Sequence, residues 1–357
     1  MKIEATITKM TDAAFAKVAR RAALPMLLPL AIATATPGMA QDGAACPFFK
    51  DKTVELIVPF SAGGGFDTYG RMVAKHMGTH LGAANMIVRN EPGAGGLLAT
   101  NKTWTAEPDG LRIQLMSASG MMTAELGGAP GVQFKSGEFS WIGRVSGEPD
   151  VIVTSPGGPI STPDDLAKIS GERKVRIGSS GVGDIDYVEA TLETKVFGLN
   201  SDVITGFSGA PEVYSSLARG ELDLFTSSLS AAMAAKKADS AKLLWVFGKE
   251  PLEGMPDVKP IATVVPKEYV SLVNAHSGVV AASRSLAGPP GIPADRLECL
   301  RDAFDETMAS DELKAESKTL NRPVSPMSGA EIDSMIKDVM NNAPESYVDI
   351  LKSSYGN

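Results

Sequence analysis

The chain has 357 residues, more than twice a typical ~150-residue domain, so two α/β-sized units are expected rather than one core. With 43% apolar and 21% charged residues it is too hydrophobic for a disordered chain. Its 34 Lys and Arg against 42 Asp and Glu give a formal charge of -8 with no basic stretch, which argues against nucleic acid as a partner.

Residues 1–40 read as an export signal. Lys2, Lys9, Lys17, Arg20 and Arg21 form a positive start, an apolar run follows over 22–35, and Gly38-Met39-Ala40 supplies small residues for cleavage, with Gln41 as the mature start. Pro25 and Pro29 break the apolar run, which falls short of the ~20 residues a membrane span needs. Arg20-Arg21 leaves both the general and the twin-arginine route open. Without this segment 29 basic residues face 40 acidic ones, a net -11.

Cys46 and Cys299 are the only cysteines, and an oxidising compartment lets such a pair close into a disulfide or remain as free thiols. On a helix predicted over 293–308, Cys299 points away from the apolar stripe of Leu297, Leu300 and Phe304. Gly43-Ala44-Ala45 lacks the large aliphatic residue that lipidation of Cys46 calls for.

From there short β-branched runs alternate with helical stretches, the pattern of an α/β architecture with mostly parallel strands. Strands are predicted at 53–60 (TVELIVPF), 86–89 and 111–116, with helices over 66–81 and 96–106. A poorly periodic stretch, 127–137, precedes strands at 141–145 and 151–154. A second unit opens with Ser161-Thr162-Pro163-Asp164-Asp165, a hydroxyl cap, a first-turn proline and two acids at a helix start. Its strands are predicted at 174–179, 202–205, 222–225 and 243–247, with a helix over 210–219 closed by Gly220. An apolar strand over 278–282, a Gly288-Pro289-Pro290-Gly291 link and two amphipathic helices complete the chain.

Three strand-to-helix junctions are rich in glycine: Ser61-Ala62-Gly63-Gly64-Gly65-Phe66-Asp67, Pro92-Gly93-Ala94-Gly95-Gly96, and Gly178-Ser179-Ser180-Gly181-Val182-Gly183-Asp184. Glycine lets backbone approach a ligand, and the free N–H groups at a helix start attract anions, so the three together suggest a carboxylate site. The plainer reading is three tight turns. No P-loop follows, because Phe66-Asp67-Thr68 replaces Lys-Ser/Thr, and the Rossmann spacing of glycines is missing. Neither Ser179 nor Ser180 sits in G-x-S-x-G, so no hydrolase triad is legible among His76, His80 and His276. His76 and His80 share a helix flank without a third ligand, and His80 reads as a partly buried structural histidine rather than a metal ligand.

The segments V-P-F-S-A-G-G-G-F-D (58–67), N-E-P-G-A-G-G (90–96) and E-P-D-G (107–110) resemble, in order and spacing, the tripartite tricarboxylate transporter solute receptors, or Bug family. The likeness continues through 177–187, Gly206-Phe207-Ser208-Gly209 and Gly291-Ile292-Pro293. It implies a two-lobed periplasmic binding protein of type II-like form, with two α/β domains joined by two crossover strands. Domain 1 would be discontinuous (41–149 and 274–357) and domain 2 would span 150–273. It further implies a monomer without cofactor or catalysis that holds a small organic carboxylate in the cleft and delivers it to membrane permease subunits. A ligand sensor docking on a signalling partner is the alternative.

By the same resemblance the ligand-binding residues are Ser61, Ala62, Gly63, Gly64 and Asp67 on one wall, with Gly93, Ala94 and Gly95, and Ser179, Ser180, Gly181 and Asp184 on the other. Ser117, Ser208 and His276 lie beside them; His276 either touches ligand or only packs. Asp67 either orders its own loop or accepts from the ligand. If Asp184 and Asp186 face the cleft, the ligand carries a donor as well as a carboxylate, as amino and hydroxy acids do. The sequence departs from relatives at Glu91, where they usually have a basic residue, at Phe207-Ser208 and at Asp184-Ile185-Asp186-Tyr187, so the usual cations are missing. Four or five backbone amides at roughly 1.5–3 kcal/mol each would reach the ~-8 kcal/mol of micromolar binding without an arginine clamp.

Overall fold

The computed structural model describes residues 46–356 apart from 249 and 253; the predicted export signal lies outside the described residues. No described helix is long and apolar enough to cross a membrane. One sheet contains β1 (Thr53–Val58), β2 (Asn85–Asn90), β3 (Arg112–Ser117), β4 (Ser140–Ser146), β11 (Arg284–Gly288) and β12 (Met327–Ser328), in the order β12-β4-β11-β3-β1-β2. The other contains β5 (Asp150–Thr154), β6 (Val175–Gly178), β7 (Ser201–Ile204), β8 (Leu224–Ser228), β9 (Lys242–Val246) and β10 (Lys259–Pro260), in the order β10-β9-β5-β8-β6-β7. In both, the strands joined by helices pair in parallel (β1 with β2 and β3, β6 with β7 and β8). The strands at the crossings, β11 and β5, are antiparallel to both neighbours.

Helices α1 (Gly65–His80), α2 (Leu97–Trp104) and α3 (Ala118–Leu126) follow the first three strands. The second sheet carries α4 (Pro163–Glu172), α5 (Ile185–Val196), α6 (Ala210–Ala218), α7 (Leu229–Lys237) and α8 (Val270–Val280). The chain ends in α9 (Ala294–Ala309), α10 (Asp311–Leu320), α11 (Gly329–Asn342) and α12 (Glu345–Ser354), four helices where two were expected. The expected helix start at Ser161–Asp165 is a full capping box. Thr162 Oγ1 accepts from the Asp165 amide, and the Asp165 carboxylate accepts from the Thr162 amide at 2.9 Å.

The expected strand at 278–282 is instead the end of α8, and the strand lies further on, at β11. This helix is the return crossing: Val273 is buried in the core of the second sheet, Val279 and Val280 in that of the first. Each sheet is covered on both faces. Tyr69, Met72, Val73 and Met77 of α1 pack with Leu56, Leu115 and Phe304 on one side of the first sheet. On its other side Ile185 and Val188 of α5, a helix of the second lobe, enter the core with Met122 and Tyr355.

Cys46 and Cys299 are joined in a disulfide that ties the segment before β1 to α9. The bridge spans 253 residues of sequence, a long loop whose closure removes much entropy from the unfolded chain, on the order of 2–5 kcal/mol. At about 2.1 cal/mol/K per residue, a chain of this size shifts its melting temperature by roughly 1.5 °C per kcal/mol. The Cys46→Ser/Cys299→Ser variant is therefore expected to melt about 3 to 8 °C lower in differential scanning calorimetry; an unchanged transition would show that the bridge does not stabilise the fold.

Candidate functional site in the interlobe cleft

The three glycine-rich junctions meet where the lobes face each other, but their amides are mostly engaged. Gly95 N donates to Ser180 O at 3.1 Å, Gly183 N to Ala94 O at 3.1 Å, and Ser61 N to Ser208 O at 2.8 Å, each bond crossing between lobes. Ser117 Oγ, at the end of β3, donates to Asp184 Oδ1 at 2.6 Å. A Cβ on Gly183 would stand 2.6 Å from Ala94 O, so glycine is required here by the passage of one backbone against another. The expectation that these nitrogens grip the ligand directly is thus corrected for Ser61, Gly95 and Gly183, whose protons go to the opposite lobe.

Behind this seam lies a cavity of about 60 Å³, space for a handful of waters or a small ligand. Ser61, Gly64, Gly65 and Phe66, from the start of α1, form part of its wall. Asp150, Ser180, Asp184, Asp186 and Glu189 line the second-lobe side, and Arg284 completes the first. Of the expected ligand-binding residues, Ser61, Gly64, Ser180 and Asp184 reach this wall. Ala94, Gly95 and Gly181 belong to the seam, Gly93 packs against Leu98 of its own lobe, Ala62 and Gly63 are exposed, and Ser208 has its amide and hydroxyl on Glu212. Ser117 and Ser179 are buried behind the wall as donors to Asp184 and Asp186.

Two single residues resolve the alternatives left open. Asp67 orders its own loop: its oxygens accept from the Gly63 amide (2.9 Å), Asn90 Nδ2 (2.9 Å) and Arg71 (2.8 and 3.0 Å). Burial alone would raise its pKa, but Arg71, the Gly63 amide and Asn90 outweigh that and hold it low. His276 only packs. It is 0% exposed, between Tyr347 Oη at 2.9 Å and Glu189 Oε1 at 3.3 Å, and burial pushes its pKa down to about 3, so its placement in the ligand site is corrected. Of the α1 pair, His80 is exposed beside Glu306, contrary to expectation, and His76 is the more buried, on Glu316. Glu91 is held by Arg112 at 3.1 Å.

Sequence reading missed Asp150, Glu189 and Arg284, on β5, α5 and β11, and Glu148, on the link between β4 and β5. Arg284 is 2% exposed; its Nη1 donates to Glu148 Oε1 at 2.8 Å, and its guanidinium lies against the rings of Phe66 (5.0 Å) and Tyr69 (4.9 Å). A Cβ on Gly65 would be 3.5 Å from its Nη2, which places the cation beside the positive start of α1. The wall therefore does contain an arginine, although none of the glycine-rich loops supplies one.

The carboxyls opposite are strongly perturbed. Burial, with Glu148 and Asp184 nearby, carries Asp150 up to about 7 despite Arg284, and burial carries Glu193 up to about 8. Burial and the neighbouring Asp184 raise Asp186, burial with Asp150 and Glu193 nearby raises Glu189, and burial raises Asp184 against its hydrogen bonds from Ser117, the Ile185 amide and Ser180. Ser180 Oγ stands 2.9 Å from Asp184 Oδ2 and 2.8 Å from Asp186 Oδ2; with a single hydroxyl proton, both contacts are hydrogen bonds only if one carboxyl carries a proton.

Stability should follow pH accordingly. Unfolded, Asp150 and Glu193 ionise near pH 4; folded, they keep their protons to about 7 and about 8, so their contribution to stability is lost as pH rises from about 4 through those values. His276 works the other way, taking up a proton near 6.5 only when unfolded. We expect the unliganded protein to melt highest near pH 4 to 5, where the unfolded acids begin to ionise, and roughly 5 °C or more lower at pH 8. A flat calorimetric profile across pH 5–8 would mean that the acids are ionised in the fold.

Two α/β lobes, crossed twice by the chain and closed over a small cavity, define the fold of the two-lobed periplasmic binding proteins. Residues 70–344 match the tripartite tricarboxylate transporter family receptor (TctC), and the chain belongs to that family. It is 28% identical over 271 residues to a UPF0065 protein of Bordetella pertussis, covering 75% of this chain and 80% of the relative. Its fold is similar to periplasmic binding protein BugD, with TM-score 0.70 and 19% identity over 85% of this chain and 97% of that one. MatC (Rpa3494) from Rhodopseudomonas palustris, solved with bound malate, is similar at TM-score 0.69 and 18% identity, over 84% and 98% of the two chains.

Proposed function

We propose that the chain is an exported, non-catalytic receptor that closes its lobes around a small organic carboxylate and passes it to the membrane permease of a tripartite tricarboxylate-type transporter. The carrying observation is the cavity in which Arg284 and the Gly64–Gly65 start of α1 share one wall, a positive surface beside the backbone bonds that join the lobes. The malate in MatC, a protein of the same fold, supports a carboxylate guest. An enzyme built on Ser179 or Ser180 lacks support, because both hydroxyls are tied to Asp184 and Asp186 and His276 is enclosed by Tyr347 and Glu189. In our reading domain 1 combines residues 41–149 with 274–357, domain 2 spans 150–273, and the periplasm is the compartment. Isothermal titration against di-, tri- and aromatic carboxylates tests the receptor role: saturable heat with at least one class is expected, and silence across the panel from folded protein would overturn it.

A further inference from the structure

We propose that the groove between α7 and the end of α10 docks an acidic segment of a partner protein, one that carries apolar side chains among its carboxylates. The groove holds about 1250 Å³ and shares no lining residue with the carboxylate cavity. That volume exceeds the ~300–1,000 Å³ of a typical small-molecule site and matches a stretch of chain. Lysines stand on both walls, Lys236 and Lys237 on α7, Lys314 and Lys318 on α10. Arg322, 8% exposed, bridges the two sides through Nη1, which donates to Ser230 O at 2.6 Å.

Charge and apolar surface together select the occupant. The whole chain has 34 basic against 42 acidic residues, yet the groove is lined by five cations and one acid, Glu148, which is already paired with Arg284. Among the described residues Lys75, Lys102, Lys135, Lys174 and Lys337 have carboxylate partners, and none of these lines the groove. Lys314 Nζ donates to Ala309 O at 2.5 Å and Lys236 Nζ reaches Met255 Sδ at 3.9 Å, contacts that bring no negative charge. Cations gathered in this way repel one another; a carboxylate-bearing partner relieves the repulsion and a basic one is rejected. The groove is also apolar. Met233 and Leu320, 38% and 41% exposed, are two of the five large apolar side chains exposed among the described residues, and Leu229 and Val324 line the groove with them. Leu229, Met233 and Lys236–Lys237 recur at helical spacing, so one face of α7 offers both kinds of contact. A lipid headgroup brings a single cluster of charge. Lysines on two walls instead match carboxylates on both sides of an apolar stripe, as an acidic amphipathic segment presents them.

The test pans a phage-displayed library of random peptides, about 15 residues long, on the folded protein. Recovered peptides are expected to be rich in Asp and Glu with interspersed Leu, Ile or Phe, and the synthetic peptides to bind saturably in fluorescence anisotropy, more weakly as salt rises. Lys236→Glu/Lys237→Glu and Lys314→Glu/Lys318→Glu change exposed side chains, so each should melt within a few degrees of the parent and bind the peptides roughly tenfold or more weakly. Met233→Ser/Leu320→Ser should weaken them as well. Recovery of basic or uncharged peptides, acidic peptides that bind both lysine variants as tightly as the parent, or no recovery at all overturns the proposal. Cosedimentation with phosphatidylglycerol but not phosphatidylcholine vesicles, lost in the lysine variants and with no peptide recovered, overturns it in favour of a membrane surface. None of these outcomes bears on the carboxylate cavity, which the calorimetric panel tests separately.

Discussion

Gly95→Val is expected to weaken ligand capture by about a hundredfold while the unliganded protein melts within a few degrees of the parent. Gly95 has φ of 63°, where a β-branched residue is strained by roughly 1–2 kcal/mol, and its Cβ would collide with the carbonyl oxygen of Gly181. That oxygen cannot easily yield. It accepts from the Asp184 amide at 3.0 Å, and Asp184 is itself fixed by Ser117. The seam must therefore part, losing the Gly95–Ser180 and Gly183–Ala94 bonds and straining Ser61–Ser208. At about 1 kcal/mol net per bond, the closed form loses some 3 kcal/mol, or about a hundredfold in affinity when closure is coupled to binding. Titration should show the loss, and small-angle scattering should show a particle that no longer compacts on adding a carboxylate. Gly63→Ala is the control: its Cβ meets nothing within 4 Å, so only local φ strain is added. Undiminished affinity in Gly95→Val would mean that the two loops do not touch in the bound form.

The glycine-rich junctions were legible as a set, and the structure does bring them together; what the sequence could not show is what each amide faces. Free N–H groups at a helix start look the same whether they meet an anion or another backbone, and only the second lobe's position decides. Elements with two distinct faces, such as α1 and the capped α4, were readable because their polar and apolar residues separate. Two elements without a polar face were not. In α3 every residue over 118–124 is buried, leaving no periodicity, and the run Val279-Val280-Ala281-Ala282 at the end of α8 carries the β-branched, apolar signature of a short strand. The C-terminal helices were undercounted at Ser310, a side-chain cap that starts α10, and at Pro344, which precedes α12. Asp150, Glu189 and Arg284 come from β5, α5 and β11, so no local spacing could have joined them. An arginine opening a fully buried strand, Arg284–Gly288, was the available signal.

Arg284→Met should be the most damaging single substitution in the cleft, on both stability and binding. Its Nη1 lies 2.8 Å from Glu148 Oε1, and Glu148 also accepts from the Ser230 amide (2.6 Å), Ser230 Oγ (2.7 Å) and Tyr69 Oη (3.2 Å). Removing the guanidinium leaves a 7%-exposed carboxylate with neutral donors and only the more distant Arg322 as counter-charge; breaking a buried pair in this way typically costs about 3–5 kcal/mol, or roughly 5–8 °C of melting temperature. The rings of Phe66 and Tyr69 lose their cation as well. Stability and recognition separate in the double variant. Glu148→Gln/Arg284→Met removes both charges and should recover much of the melting temperature, because replacing a whole buried pair costs far less than stranding one half of it. Carboxylate binding should stay lost, since Arg284 is the one cationic residue among the described residues lining the cavity and the helix start of α1 alone supplies no full charge. A double variant that recovered both the melting temperature and the titration heat would assign Arg284 to the lobe interface and leave recognition to the backbone.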